Sequence, residues 1–223
     1  MDFVHIERGW GRTLVLLPGW GFLAEIFSRL SLPYDYILPA GPLAGDVSED
    51  IAEFLYRTGV SRTTLLGWSL GAYLAVDFAK RYPEKTSSLL LVSLRTAFCI
   101  SEIELVRALV EADPEGTLRD FYRRCFAGQK GDYRWFVECY EKRFIKAIKK
   151  VELLDGLSYL SSRTIDLDRI PCRDILIVHG ARDLISPAHL VPRLPHLRFF
   201  LIPGTGHLPF LSPEFGRILF GNP

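Results

Sequence analysis

The stretch Thr63-Thr64-Leu65-Leu66-Gly67-Trp68-Ser69-Leu70-Gly71-Ala72 constrains this chain more than any other. An apolar run of strand length breaks at Gly-x-Ser-x-Gly and passes straight into a helical pattern through Tyr73, Leu74, Val76, Asp77, Phe78 and Ala79. Strand, sharp turn and helix in that order form the setting of a nucleophile elbow, where a serine sits on a turn too tight for bulky neighbours. Gly67 and Gly71 keep Cβ atoms out of the places where strand and helix backbones nearly touch. Ser69 then projects at the N-terminus of the new helix, which favours developing negative charge. A chance glycine-rich turn has the same five letters, so the motif gains weight only from partners elsewhere in the chain.

Those partners depend on the frame around the elbow. Phe3–Glu7 and Thr13–Leu17 have the length and composition of strands, closed by Gly9-Trp10-Gly11 and Pro18-Gly19-Trp20-Gly21. Leu23–Leu30 reads as a short helix and Tyr34–Leu38 as a strand. A helix capped by Asp46 or Ser48 carries Ile51, Phe54 and Leu55 on one face and stops at Gly59. After the elbow helix, which ends at Tyr82-Pro83, Ser87–Leu94 is again a buried-strand run. This alternation predicts an α/β fold with a mostly parallel sheet covered by helices on both faces.

From Arg95 to Asp168 the rhythm changes. Glu102–Ala112, Thr117–Phe126, Asp132–Val151 and Leu153–Leu160 are amphipathic helical stretches with no buried strand among them. The sheet pattern resumes at Asp174–Val178, followed by a helical Pro187–Leu194, a strand at Arg198–Ile202 and a closing helix at Pro213–Phe220. Residues 1–94 and 169–223 therefore read as one core, and 95–168 as a helical cap inserted into it. A chain of 223 residues suffices for that arrangement.

A serine hydroxyl becomes a useful nucleophile only when a base takes its proton and an acid holds that base in the right tautomer. On this fold both partners belong on loops after later strands, in the order Ser, Asp, His. Asp183 lies five residues beyond the Asp174–Val178 strand, and His207 sits in the glycine-rich loop Pro203-Gly204-Thr205-Gly206-His207. Ser69, Asp183 and His207 are thus the expected catalytic triad. The oxyanion that forms during attack needs two backbone N–H donors, expected from Leu70, directly after the nucleophile, and from Trp20, after the tight turn at Gly19. His179, at a strand end, reads as a structural histidine; His5, His189 and His196 have no motif around them. Asp77 faces the middle of the elbow helix, and Asp166 and Asp168 suit a turn or cap. No acid follows the Ser87–Leu94 strand, where Arg95-Thr96-Ala97 stands instead.

Four segments make the likeness specific: Leu16-Leu17-Pro18-Gly19-Trp20-Gly21, Gly67-Trp68-Ser69-Leu70-Gly71, His179-Gly180-Ala181-Arg182-Asp183 and Gly206-His207-Leu208-Pro209-Phe210. Through them the chain resembles the α/β-hydrolase superfamily over nearly its full length. Within it, the chain is similar to the pimeloyl-[acyl-carrier-protein] methyl ester carboxylesterases of biotin synthesis. Thr164-Ile165-Asp166-Leu167-Asp168 adds to the likeness. Where the superfamily usually has His-Gly, this chain has Pro18-Gly19. The resemblance implies a methyl ester on an acyl chain borne by an acidic carrier protein, and no metal or organic cofactor.

Charge distribution bears on that partner. Between Thr117 and Lys150 ten basic residues face four acidic ones, so this stretch is net +6 while the remainder is −5 and the whole chain +1. Arg123, Arg124, Arg143 and Lys146 are the expected docking residues for an acidic protein, which such a surface would capture faster. A solvated helix face, or attachment to a membrane surface, would use the same charges. Phe98, Phe126 and Phe144, with Trp20 and Trp68, are expected to line an acyl channel, although packing the cap onto the sheet calls for aromatics too. The near-neutral balance argues against nucleic-acid binding, and no apolar run reaches the roughly 18–20 residues of a membrane span. The start of the chain lacks a secretion-signal pattern, and Cys99, Cys125, Cys139 and Cys172 are scattered, so a monomer in a reducing cytoplasm is expected. A thioesterase, a carbon–carbon bond hydrolase, a broad short-chain esterase, or a ligand sensor without catalysis would fit the same fold.

Overall fold

The computed structural model describes residues 1–221. Among them, seven strands form one sheet: β1 (Phe3–Ile6), β2 (Thr13–Leu17), β3 (Asp35–Pro39), β4 (Thr63–Trp68), β5 (Thr86–Val92), β6 (Ile175–Gly180) and β7 (Arg198–Ile202). Their spatial order is β1-β3-β2-β4-β5-β6-β7, with β1 antiparallel to β3 and every other neighbouring pair parallel. The middle strands are buried on both faces, as the continuous runs Leu14–Leu17, Leu89–Val92 and Ile175–Val178 require. The edges are not: Val4 and Ile6 on β1, and Phe200 and Leu201 on β7, are exposed.

Helices α1 (Ser48–Arg57) and α2 (Leu70–Arg81) follow β3 and β4. α2 crosses β2, β4 and β5 and is buried at nine of its positions, so the elbow helix is the most deeply enclosed in the molecule's core layer. Between β5 and β6 run α3 (Ile100–Ala112), α4 (Pro114–Cys125), α5 (Lys130–Phe136), α6 (Lys142–Ala147) and α7 (Lys150–Ser161). α3 packs on α4 and α7, and α7 reaches back to α2. Tyr159 on α7 donates to Asp77 on α2, and Arg163 Nε donates to the same carboxylate at 3.1 Å. α8 (Pro213–Phe220) closes the chain against β7.

Three expected helices take other forms. Leu23–Leu30 forms a 3₁₀ turn over Ala24–Arg29. Asp132–Val151 is not one helix: a π-helical turn at Val137–Glu141 separates α5 from α6, and Ile148, with ψ 119°, breaks the chain before α7. Pro187–Leu194 contains only a three-residue turn at Ala188–Leu190. Pro192, in the middle of that stretch, lacks the N–H group a helix needs there, and Pro195 keeps the residue before it out of the helical region.

Candidate active site

The carboxyl ends of β2, β4, β6 and β7 meet at one rim of the sheet, and each carries a loop with one expected residue. Ser69 takes φ 56° and ψ −116°, a conformation rare for a residue with a side chain. The two glycines around it explain how the turn closes. A Cβ on Gly67 would stand 2.3 Å from the Gly71 oxygen, and one on Gly71 would stand 2.0 Å from the Leu17 oxygen. Strand and helix can come this near only without side chains at both places. Ser69 N donates to Val92 O at 3.0 Å, tying the elbow to the next strand.

His207 and Asp183 are buried together. His207 Nδ1 lies 2.8 Å from Asp183 Oδ2, with both side chains wholly inaccessible to solvent. The other carboxylate oxygen accepts the N–H groups of Ile185 at 2.9 Å and Ser186 at 2.8 Å. Burial pushes the Asp183 carboxyl up, but His207 and these two N–H groups outweigh it and hold the acid below the ordinary carboxylate range. A carboxylate so placed accepts the Nδ1 proton and leaves Nε2 as the basic nitrogen. Nε2 is buried and has no hydrogen-bond partner among the described residues.

The N–H groups expected to hold an oxyanion are those of Leu70 and Trp20. Leu70 is the first residue of α2, and neither its N–H nor that of Trp20 donates elsewhere among the described residues. The Pro18–Gly21 loop presses on the elbow: a Cβ on Gly19 would lie 3.1 Å from Ser69 Cβ. Trp20 is held from the far side, its indole Nε1 donating to Leu153 O of α7 at 2.8 Å, and Gly156 leaves room for the ring.

Ser69 opens into a cavity of about 280 Å³ lined by Trp20, Phe98, Phe121, Ile103, Val106, Leu157 and Leu160, with Leu184, Ile185, Pro187 and Leu190 across from them. Arg95, Glu102 and Arg124 stand on its wall, where Arg95 donates to Glu102 at 2.6 Å and lies over the Phe98 ring. Among the expected channel residues only Trp20 and Phe98 line it. Trp68 is fully buried beneath, against Phe22, Phe27, Phe210 and the His207 ring. Phe126 and Phe144 pack on Phe136, inside the aromatic cluster that fastens the inserted helices to Phe22. These three are corrections: Trp68, at the end of β4, and Phe126 and Phe144, in the inserted helical segment, point into the packed interior and satisfy packing there instead of reaching the cavity. A larger groove of about 630 Å³ lies along β1 and β3 and shares no lining residue with this cavity.

Of the expected docking residues, Arg143 pairs with Glu25 and Arg123 with Asp120 at 2.5 Å. Arg124 and Lys146 are exposed and form no ion pair among the described residues. His179 stacks on Phe199 at 5.3 Å, and burial lowers its pKa to about 4, so it is a neutral packing residue beside the dyad. Two contributors escaped sequence reasoning. Ser93, buried with φ 49°, donates to His207 O at 2.9 Å, as Trp68 Nε1 does at 2.6 Å. Gln129 bonds the residues on either side of His207. Neither has a local motif, since both act through contacts distant in sequence. Among the described residues no three His, Cys, Asp or Glu side chains converge as metal ligands, and no helix is long and apolar enough to cross a membrane.

The profile of the alpha/beta hydrolase family matches residues 6–215. The chain belongs to the α/β hydrolase family. It is a hydrolase by that membership, and the curated proteins it resembles carry esterase names. A pimeloyl-[acyl-carrier protein] methyl ester esterase of Nitrosomonas europaea is 27% identical, covering 96% of this chain and 96% of its own. The protein of the same name from Aromatoleum aromaticum is 30% identical, over 92% of this chain and 95% of its own. Among solved structures, a thermophilic esterase from Thermogutta terrifontis superposes with a TM-score of 0.81 at 19% identity, covering 98% of this chain and 90% of that one. A bromoperoxidase from Bacillus anthracis reaches 0.79 at 17% identity, covering 97% and 92%. At such identities these structures speak for the fold alone.

Proposed function

We propose that this α/β hydrolase is a serine carboxylesterase acting through an acyl-enzyme, with Ser69 as nucleophile, His207 as base and Asp183 as its orienting acid. The observation that carries the reading is the fully buried His207–Asp183 pair at 2.8 Å, whose remaining ring nitrogen has no partner among the described residues. Ser69 Oγ attacks the ester carbonyl while Nε2 accepts the hydroxyl proton. The Leu70 and Trp20 N–H groups hold the oxyanion, each such donor contributing about 3–4 kcal/mol to lowering the barrier. His207 returns the proton to the departing alcohol oxygen as the carbonyl re-forms. Water then enters, gives its proton to Nε2 and attacks the acyl-serine, releasing the acid and restoring Ser69.

The substrate we propose is the methyl ester of a pimeloyl group on an acyl carrier protein. The names of the relatives at 27% and 30% identity support it. So does the cavity, because burying about five methylenes among its aliphatic and aromatic walls contributes up to roughly 4 kcal/mol at ~0.8 kcal/mol each. In this reading residues 95–168 form a cap over the 1–94 and 169–223 core, and Arg124 and Lys146 offer the unpaired charge that meets an acidic carrier. The four cysteines, all free, suit a reducing cytoplasm, where the enzyme works as a monomer without a cofactor.

A fluorophosphonate probe tests the chemistry: it is expected to label the wild type and not Ser69→Ala, and an unlabelled wild type would mean that Ser69 is not an activated nucleophile. Turnover of a methyl-pimeloyl carrier, free methyl esters and acyl thioesters tests the substrate. Equal rates on carrier-bound and free methyl esters would remove the carrier assignment, and faster thioester cleavage would make the protein a thioesterase. Lys146→Glu, outside the cavity lining, is expected to slow carrier turnover and spare small esters.

A further inference from the structure

The loop that bears His207 is held by the inserted helices as well as by the sheet. His207 N donates to Cys125 O at 2.8 Å, at the end of α4. Four residues on, Gln129 reaches both neighbours of the histidine: its Oε1 accepts the Gly206 N–H at 2.9 Å and its Nε2 donates to Leu208 O at 3.1 Å. Nε2 also donates to Asp132 Oδ2 at 3.1 Å, which leaves the amide one orientation that serves all three partners. Gln129 is only 7% exposed, so these bonds are made away from solvent. The two segments lie flush. A Cβ on Gly206 would come within 2.6 Å of Cys125 O and 2.7 Å of Ala127 O, and one on Gly128, whose φ is +83°, within 2.5 Å of Gly204 O. Each side has a glycine where the other's backbone passes.

We infer that Gln129 is a positioning residue for His207, setting the imidazole through the backbone on both sides of it. The inference rests on His207 being the base. A buried N–H and a buried carbonyl without partners are costly, so the loop is expected to shift until both are satisfied elsewhere. Its imidazole has no free path for that shift, because Asp183 holds Nδ1 and the Trp68 and Ser93 side chains hold the His207 carbonyl. Losing Gln129 therefore tilts the ring rather than freeing the loop. Substrate binding is untouched, since neither Gln129 nor Gly206 lines the cavity beside Ser69.

The test is Gln129→Leu, which keeps bulk and removes both polar atoms, beside Gln129→Glu, which keeps an acceptor for Gly206 but loses the donor to Leu208 and sets a carboxylate against Asp132. The full chain is assayed for folding by thermal melting, for kcat and KM on a short p-nitrophenyl ester, for the rate of fluorophosphonate labelling, and for the far-downfield proton resonance of the His207–Asp183 hydrogen bond. Misplacing a reacting group by about 1 Å costs on the order of 100-fold, so a partial tilt is expected to lower kcat of the leucine variant about tenfold or more. KM should hold, labelling should slow in step, and the downfield proton should broaden or vanish; the glutamate variant, whose carboxylate meets Asp132 Oδ2 and Leu208 O, should slow as well. Wild-type kcat, labelling and downfield proton in folded Gln129→Leu would overturn the inference. Should the leucine variant not fold, Gln129→Glu decides alone: wild-type kcat overturns the inference, and lowered kcat at constant KM supports it. A wild type that does not label at all would instead sink the catalytic reading of Ser69, independently of Gln129.

Discussion

Replacing Gly71 with alanine places a methyl carbon 2.0 Å from the Leu17 carbonyl oxygen and 2.6 Å from its carbon, where ordinary contact begins at 3.4 Å. Backbone lies on both sides, so no side chain can swing away, and β2 and α2 must part by more than an ångström. Inserting atoms into a packed interior costs about 1–3 kcal/mol, and a backbone collision at the centre of the sheet belongs at the upper end. For a chain of this length about 3 kcal/mol corresponds to a fall of roughly 6–12 °C in Tm. The same displacement carries the Leu70 N–H away from Ser69, and a shift of about 1 Å at a reacting centre can cost on the order of 100-fold in kcat. Gly45→Ala is the matched control. Nothing lies within 4 Å of its added Cβ and its φ is outside the left-handed region, so alanine there should not lower Tm. Differential scanning calorimetry and ester hydrolysis on the same samples read both effects. Gly71→Ala that melts with the wild type and keeps its kcat would refute the close approach of strand and helix on which the elbow rests.

Two further outcomes separate local strain and burial from catalysis. Ser69→Gly should be more stable than Ser69→Ala by about 1 kcal/mol in urea unfolding, because only glycine relieves a left-handed φ of 56°; the reverse order would mean that the turn is unstrained. His179, buried and neutral with its pKa lowered to about 4, takes up no proton in the native state where the unfolded chain already does, so stability should fall as pH drops from about 6.5 towards 4. The gap corresponds to roughly 3 kcal/mol at ~1.36 kcal/mol per pH unit. His179→Leu should lose much less over that window, and equal losses would place the titration elsewhere.

What could be read in advance follows periodicity and short-range chemistry. The central strands are apolar runs between turn residues, and burial on both faces leaves such runs no other use. The elbow is legible because two steric demands fall four residues apart, at Gly67 and Gly71. Asp183 and His207 follow from the rule that ligands and reacting groups gather at the strands' carboxyl ends. Helix extents were less accessible. The π-helical turn at Val137–Glu141 is an interruption with no proline or glycine to announce it, and Pro187–Leu194 has helical spacing whose prolines prevail.

By itself, then, the order of residues determined a mostly parallel α/β sheet, its single helical interruption, and which serine, acid and histidine could share one rim. Those properties follow from pattern and from sterics within a few residues. Tertiary structure decided which aromatics see the cavity, placing Trp68, Phe126 and Phe144 in packing and Phe121 on its wall. It also decided which surface charges stay unpaired, and that the His207 loop is bonded by an amide 78 positions before that histidine in the chain. No local rule carries that contact: Gln129 meets Gly206 and Leu208 only because α4 and α5 return across the sheet's rim, where buried backbone groups must find partners or stay costly.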